Sequence, residues 1–354
     1  MIMKNNLQNK WLLVSCLQKS IRKGFVSLVE NYVDELYDLE KNYLVYRLSI
    51  MAIEDIGIAN IPLVNSFLQT EIKKANIEEL GGKSYVIDVA KSLALSVKDR
   101  SACDLVYIST MYGERKFSNY EEIFLDESQT LVRRILAAWE ILGAKKMKNP
   151  LITKVEDNIC QFLELNAKLK NNNEDVLNIM KISYKIHNEP HFIALGILKH
   201  LYEEEKKNGS KVGKYAIGDY FLKNYPEILI DKKWLLDGVD WHTREGKSAI
   251  YATINEPIEI VKYLKQFVID KESLAASFGM LLFKKIGQQV NKRLIYQNAI
   301  TIFKISEEIT LKKMLHNENV DFKLADHLMN EAIPILNDNI EKQFKIANPN
   351  YFPF

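Results

Sequence analysis

The sequence contains few residues that interrupt regular structure: its 354 residues include only 14 glycines and 8 prolines. Average usage of roughly 7% and 5% would give about 25 and 18. Hydrophobic residues make up 47% of the chain and charged residues 27%, as expected of a globular protein rather than a disordered one. The scarcity of breakers predicts long uninterrupted elements and favours helices.

Cysteine and long apolar runs are also scarce. Cys16, Cys103 and Cys160 lie far apart and form no C-x-x-C pair, which disfavours a zinc ribbon or a disulfide framework and indicates a reducing compartment. No run reaches about 18 uncharged apolar residues, and the first residues have no apolar stretch typical of a signal peptide. These features predict a soluble, cytoplasmic protein without a membrane partner.

The charge is almost balanced, with 48 basic and 46 acidic residues and a formal net charge of +2. The molecule as a whole therefore does not attract nucleic acid strongly. Any nucleic-acid contact must come from local basic patches.

Apolar residues recur at helical spacing along nearly the whole chain. The predicted helices cover residues 10–23, 25–38, 41–56, 60–80, 83–97, a segment from 102, 128–142, 151–170, 190–207, 211–223, 257–269, 272–298, 299–315 and 321–345. Strand evidence is limited to 85–89 and 228–230, and no repeat of fixed period emerges. The predicted fold class is all-α.

A soft domain boundary is expected in the basic, proline-containing segment 145–150. It divides the chain into a helical domain 1–148 and a second helical domain, 149–354, of unassigned type.

Three segments carry a family resemblance: Leu17–Gly24, Ala52–Asn60 and Leu93–Ala102. In the third, the end of a helix rich in small residues is followed by a short polar joint, Lys98–Ser101. Together the three segments resemble the C-terminal helical region of the RarA/MgsA replication-associated recombination ATPases, which are relatives of clamp loaders. The similarity covers about residues 12–105. It implies a collar-like fold for the first domain.

In that family the region follows an ATPase module, assembles subunits into a tetramer and belongs to proteins that act at stalled replication forks. No ATPase module precedes it in this sequence, so ATP-driven activity is not expected. The resemblance implies homo-oligomerisation and a link to replication or repair proteins. A collar-like region joined to an unrelated helical partner also suits a phage or mobile-element protein.

Glu54 and Asp55 fall in the last turn of a predicted helix, where the helix dipole disfavours acids. A basic residue should compensate them, and Arg22 and Arg47 are the predicted partners in a structural clasp. Gly57 is expected to supply a left-handed C-cap. A catalytic use of the two carboxylates is the alternative.

Two segments resemble the end of a phosphate-binding loop, Gly82-Lys83-Ser84 and Gly246-Lys247-Ser248. In both, the earlier glycine that the loop requires is replaced, by Ile77 and Trp241. Nucleotide binding is therefore not predicted, and no cofactor is expected.

The segment 239–247 is the densest polar cluster. Asp240 and His242 are weak catalytic candidates for a phosphoester-directed enzyme, with Arg244 and Lys247 as anion-binding residues. The alternative is structural: Thr243 caps a helix that begins at Arg244. Anion binding at that helix start is an intermediate possibility.

His187 and His191 stand four residues apart, a spacing that suits a metal on one helix face. Pro190 interrupts a helix between them, and His200 lies further on. No H-E-x-x-H pattern accompanies them, so the histidines are assigned to core or surface and no metal site is predicted.

A polar stripe free of acids is predicted on one face of a continuous helix, 281–298. Stripes of Lys and Gln are typical of contacts with a phosphate backbone, although an ordinary solvated face has the same composition. The predicted nucleic-acid-binding residues are Lys284, Lys285, Gln288, Lys292 and Arg293.

These observations lead to three hypotheses. The first is a non-catalytic, oligomer-prone binding protein of DNA replication or repair, in contact with partner proteins and DNA. The second is the phosphoester-directed enzyme. The third is an interaction protein of a phage or mobile element that intercepts host replication proteins.

Overall fold

A computed structural model describes residues 10–72, 77–112, 117–142, 175–176, 178–181, 191–209, 213–216, 243–287 and 290–347. Within these ranges the chain forms thirteen α-helices and two four-residue strands. The predicted all-α class is confirmed. The predicted helix 151–170 and the tail 348–354 lie outside the described residues.

In chain order, the helices are α1 (Lys10–Lys23), α2 (Val26–Met51), α3 (Ile61–Ile72), α4 (Gly82–Leu95), α5 (Ser101–Met111), α6 (Tyr120–Leu125), α7 (Leu131–Ile141), α8 (His191–Lys207), α9 (Arg244–Thr253), α10 (Glu259–Leu264), α11 (Lys271–Gly287), α12 (Gln297–Met314) and α13 (Phe322–Ala347). The strands are β1 (Gly213–Ala216) and β2 (Lys292–Ile295), which pair antiparallel with Lys214 opposite Leu294.

The chain divides into two compact units that alternate along the sequence. Unit 1 contains Met1–Leu44, Asp219–Val290 and Glu307–Phe354, and unit 2 contains Val45–Gly218 and Asn291–Ser306. This grouping differs from the predicted division at residue 148, because sequence segments from both predicted halves contribute to each unit. The predicted boundary segment itself lies outside the described residues.

Unit 1 is organised around the last helix. Helices α9 and α10 both pack on α13, and α11 contacts all three. One buried hydrogen bond ties the long helix to its neighbour: Asn339 Nδ2 donates to Thr253 Oγ1 at 3.0 Å. The start of α13 is fixed by Asp321, whose side chain accepts from the amides of Lys323 and Leu324. The apolar stripe of α13 is therefore covered and its first turn is capped.

Unit 2 is built around a change of helix type. After α2, which bends at Glu40, the chain makes a π-helical turn over Ala52–Ile56 and a 3-10 turn over Gly57–Asn60 before α3. The bend at Glu40 separates the two helices predicted over 25–38 and 41–56. The π-turn contacts α3, α5 and α8, and α5 also packs on α7 and α8.

The predicted helix 272–298 is wrong in its second half. Helix α11 ends at Gly287, and Lys292–Ile295 form strand β2. The predicted helix 211–223 contains strand β1. Glycine ends a helix readily, and the backbone of β2 finds hydrogen-bond partners in β1 and at Lys98, so periodicity alone did not decide the conformation.

One helical stretch, Val26–Gln69, is long and apolar enough to cross a membrane by length and composition. In that stretch, 67% of the most apolar window is buried inside the protein. Such burial is typical of a core helix as well, so the expected absence of a membrane partner stays a prediction.

Candidate functional site: a buried ionic network in unit 2

The polar centre of unit 2 lies where three backbone segments meet. The amide of Asp99 donates to the carbonyl of Asp55 at 3.0 Å, which links the joint 98–101 to the π-turn. The joint is also bonded to β2, since the amide of Lys98 donates to the Lys292 carbonyl and the amide of Leu294 donates to the Lys98 carbonyl, both at 2.8 Å. These bonds bring residues far apart in sequence into one site.

We call the charged side chains of this site the ionic network; its members are Asp55, Lys98, Asp99, Arg100, Asp104 and Arg293. All six are buried, with at most 3% of their surface exposed. Charged residues this deeply buried are rare unless they are paired.

The shortest described ion pair of the network joins Arg100 Nε and Asp55 Oδ1 at 3.0 Å. Burial by itself lowers the pKa of Arg100. The carboxylates of Asp55, Asp104 and other neighbouring acidic groups more than offset it and hold the pKa above its ordinary value. Arg100 therefore carries a permanent positive charge that neutralises the acid of the π-turn.

Asp99 and Arg293 form a second part of the network. Asp99 Oδ1 accepts from the amide of Ser101 at 3.1 Å and from its hydroxyl at 2.7 Å. Burial raises the pKa of Asp99, although Ser101 and the charge of Arg293 oppose the change. Burial likewise lowers the pKa of Arg293, against the attraction of Asp104 and Asp99.

Asp104 also connects the network to α12, because its Oδ1 accepts a hydrogen bond from Ser306 Oγ at 3.1 Å. The guanidinium of Arg293 lies 6.0 Å from the ring of Phe303 on the same helix. The strand, the joint and α12 are thus held by polar contacts in the interior of unit 2.

Lys98 has a structural task within the network. Its ammonium group donates to the carbonyls of Leu93, Ala94 and Ser96, at 3.1, 2.8 and 2.6 Å. These carbonyls lie at the C-terminal end of α4, where no intrahelical donor remains and the dipole favours a cation. Burial lowers the pKa of Lys98 to about 8, although Asp55 opposes this.

The turn at Gly57 admits no side chain. Its φ is +50°, and a Cβ atom placed there would lie 2.8 Å from the Asp99 carbonyl oxygen. The positive φ expected of a glycine cap is present at Gly57, but its ψ of −133° lies outside the left-handed helical region predicted for that cap. The close approach of the Asp99 carbonyl adds a second reason for glycine at this position. Glycine is the residue that lets the π-turn and the joint touch.

A second buried polar group joins α7 and α8. Arg134 pairs with both carboxylate oxygens of Glu204 at 2.7 Å, and its Nε donates to the Phe124 carbonyl at 2.8 Å. His200 packs on the Phe124 ring with centroids 4.5 Å apart. Burial, followed by the charge of Arg134, lowers the pKa of His200 to about 3, so this histidine is neutral at physiological pH.

Glu205, next to Glu204, caps the N-terminus of α12. Its carboxylate accepts from the amides of Gln297 and Asn298. Burial raises the pKa of Glu205, and these two bonds oppose the change. The N-terminus of a helix can bind an anion through its free amide groups, and at α12 the Glu205 carboxylate takes that role.

The predicted clasp is only partly addressed by these contacts. Asp55 is buried and has a basic partner, as expected for an acid in the last helical turn. The described partner is Arg100, which was not among the residues predicted for the clasp. Arg22 is buried and Arg47 is half-buried. Their pairing with Glu54 or Asp55 stays a prediction.

Of the predicted enzyme site in segment 239–247, the structure describes only residues 243–247. Asp240 and His242 lie outside the described residues. Thr243 caps α9, since its hydroxyl accepts from the Gly246 amide at 3.1 Å, which confirms the structural interpretation of this position. Arg244 and Lys247 are exposed in the first turn of that helix.

The predicted Lys and Gln stripe requires a correction. Lys284 and Lys285 lie on α11, Gln288 lies outside the described residues, and Lys292 and Arg293 belong to β2 rather than to a continued helix. Lys292 is exposed, but Arg293 is 2% exposed and faces buried carboxylates. Arg293 is therefore not available to a phosphate backbone, because its charge is used inside the fold.

The ionic network was not found by sequence reasoning. The joint Lys98–Ser101 was interpreted as a short polar connection between helices, although polar residues in such a position are equally compatible with burial. The strand composition of Leu294-Ile295-Tyr296 after Gly287 was a usable signal for β2. Sequence spacing does not predict which of these charged residues, distant along the chain, pair with one another.

Chemically, the six charges of the ionic network point into unit 2 and are held by one another, by serine hydroxyls and by the backbone. One buried oxygen of the network, Asp99 Oδ2, has no hydrogen-bond partner among the described residues. The burial of these charges suits them for holding segments together rather than for meeting a substrate. A separate group beside them, Glu54, Cys103 and His191, is half-buried and has the donor atoms of a metal site.

No protein-family model, curated protein or solved structure matches this chain.

Proposed function

We propose that this chain is a non-catalytic, oligomer-forming binding protein of DNA replication or repair, encoded by a phage or mobile element and acting in the cytoplasm. In this proposal unit 2 is the scaffold, and partner proteins and DNA are bound by the surface. The proposal rests on the family resemblance of the sequence together with one structural observation.

That observation is the convergence of two segments that carry the resemblance. The π-turn and Gly57 belong to Ala52–Asn60, and the joint belongs to Leu93–Ala102. They are joined by the Asp99 to Asp55 backbone bond at 3.0 Å and by the Asp55–Arg100 ion pair. This contact gives the two segments one architectural role, and the inward direction of the charges supports a scaffold rather than a catalyst.

The DNA part of the proposal depends on Lys284 and Lys285, which lie on α11 in unit 1. Removal of two phosphate contacts lowers the slope of log affinity against log salt by about 2, because each contact releases about one counterion. Arg293 is no longer part of this surface.

The test is the mass of the chain in solution by light scattering, with and without single- and double-stranded DNA. We expect a mass that is a multiple of the 41.0 kDa chain and that increases further with DNA at about 50 mM salt. A 41.0 kDa species at every concentration would contradict the oligomer, and an unchanged mass with DNA would contradict nucleic-acid binding.

Two double variants test whether Lys284 and Lys285 are the residues that bind DNA. Lys284→Ala/Lys285→Ala should weaken a gel shift about tenfold or more and flatten its salt dependence. Lys262→Ala/Lys323→Ala is the control, since both lysines are exposed on other helices of the same unit. Equal losses in the two variants would show a general charge effect and remove the assignment to α11.

A further inference from the structure

We infer that Glu54, Cys103 and His191 form a binding site for a single divalent transition-metal ion, with zinc as the best match. The ligand atoms of the three side chains all lie within 4.8 Å of one another. The inference uses only unit 2 and is independent of the proposed link to DNA.

The donor set is the first reason. Thiolate sulfur, imidazole nitrogen and carboxylate oxygen are the three zinc ligands of proteins, with bond lengths of about 2.3, 2.0 and 2.1 Å. Ligands at these distances in a tetrahedral arrangement lie about 3.5 Å apart. The present separations are at most 4.8 Å, so side-chain movements of about 1 Å would bring the three ligand atoms to the distances of a tetrahedral site.

The placement of the ligands is the second reason. Glu54 lies on the π-turn, Cys103 in the first turn of α5 and His191 at the start of α8. Single π-turns inside helices are frequently found at functional sites. Here the π-turn shifts the register of the chain and places Glu54 against α5, where Cys103 Sγ lies 4.0 Å from the Glu54 carbonyl oxygen.

The surroundings suit a cation. The carboxylate of Glu54 and a thiolate at Cys103 together would balance the two charges of Zn²⁺. Arg100 Nη2 donates to Cys103 Sγ at 3.8 Å, which orients the sulfur, and the same guanidinium is bound to Asp55. Outer-shell contacts of this kind orient metal ligands in proteins.

Three protein ligands leave one tetrahedral position open. All three residues are half-buried rather than sealed, so solvent reaches the site. This arrangement differs from a closed structural zinc site, which has four protein ligands. The fourth position would be filled by water or by a donor group of a bound molecule, and binding would release the thiol proton of Cys103 to solvent.

The experiment uses the full chain, stripped with a chelator and titrated with Zn²⁺ or Co²⁺. We expect about one equivalent of zinc per chain by elemental mass spectrometry after desalting. With Co²⁺ we expect a sulfur-to-cobalt charge-transfer absorption band. Binding of less than a tenth of an equivalent, or a Co²⁺ spectrum without that band, would overturn the site.

Variants assign the ligands. Cys103→Ser should abolish the charge-transfer band, and His191→Ala and Glu54→Gln should each weaken zinc binding by about 100-fold or more, since even loss of an outer-shell partner costs about 10- to 100-fold. Cys16→Ser/Cys160→Ser and His327→Ala are the matched controls. Retention of the band in Cys103→Ser, or its loss in the cysteine control, would place the metal elsewhere and refute the assignment.

A readout of folding separates ligand loss from misfolding. Each variant should keep the helical circular dichroism of the unmodified chain. Zinc should raise the thermal midpoint of the unmodified chain and of the controls but not of Cys103→Ser, because a ligand stabilises only the state that binds it.

Discussion

The two compact units use different contacts between helices. In unit 1 the described ion pairs are on the surface, such as Lys10–Glu40 at 2.7 Å, and the described hydrogen bond that joins two of its helices in the core is the neutral Asn339–Thr253 pair. In unit 2 the described pairs Asp55–Arg100 and Arg134–Glu204 lie in or near the interior. Helical periodicity is a better guide to structure in the first case than in the second.

The physical reason is the cost of leaving a buried charge alone. A surface pair contributes about 0–1 kcal/mol and can be lost with little effect. A buried charge that loses its partner costs about 3–5 kcal/mol. Unit 2 therefore depends on specific partners that are distant in sequence, whereas the surface pairs of unit 1 are dispensable.

The comparison is tested most strongly at Asp55. We expect Asp55→Ala to lower the free energy of unfolding by about 3–5 kcal/mol, because Arg100 would lose its closest described ion partner in a buried site. Urea denaturation followed by circular dichroism measures the change. The unit 1 control Glu40→Gln should cost at most about 1 kcal/mol.

A double variant sharpens this result. If the pair is the cause, Asp55→Leu/Arg100→Met should recover part of the loss, since an apolar replacement removes both charges at once. A loss in the double variant equal to the sum of the losses in the two single variants would contradict the pairing.

The next largest effect is expected at Gly57. Gly57→Ala should destabilise unit 2 by about 3 kcal/mol, because the new Cβ meets the Asp99 carbonyl and a residue with a side chain is strained at positive φ. Gly209→Ala is the matched control: its φ is +73° and nothing lies within 4 Å of an added Cβ. It should show the strain alone, about 1 kcal/mol. Equal effects in thermal denaturation would show that the close approach is unimportant.

The smallest of these effects is the pH response of His200. Its pKa is lowered from 6.5 to about 3, so between these values the unfolded chain binds a proton that the folded chain does not. Stability from this group is complete above pH 6.5 and falls as the pH drops towards 3. The loss amounts to about 2 kcal/mol at pH 5.

Urea denaturation at pH 7 and pH 5 measures this response. His200→Leu should reduce the difference in stability between the two pH values by about 2 kcal/mol, and the exposed His327→Ala should leave it unchanged. An unaltered difference in His200→Leu would show that His200 is not the titrating group.

The sequence predicted the helices best where an apolar stripe and a clear end signal coincide. Helix α1 and helix α8 match their predicted ranges closely, and Thr243 begins α9 as expected. Within the predicted helix 60–80, the described helix is Ile61–Ile72, and residues 77–80 form a turn instead. Strand β2 was missed because residues 281–298 satisfy a helical pattern and its actual partners, β1 and Lys98, are distant in sequence.

The candidate site was less predictable than the fold. The acids at Glu54 and Asp55 were recognised as needing a partner, but Arg100 was not identified, and Arg293 was assigned to the surface. Spacing along a helix identifies neighbours within about two turns. It carries no information about which charge a π-turn or an added strand brings into contact.

Composition and periodicity by themselves determined that this chain is helical and globular, because scarce breakers and a recurring apolar face leave few other ways to bury a core. Local signals also indicated a glycine cap at Gly57 and the start of α9 after Thr243. Only the tertiary structure decided which charges are buried together and that Glu54, Cys103 and His191 meet. Those contacts depend on the meeting of segments up to about 200 residues apart, such as α5 and α12, which the Asp104–Ser306 hydrogen bond joins, and local propensity does not specify such meetings.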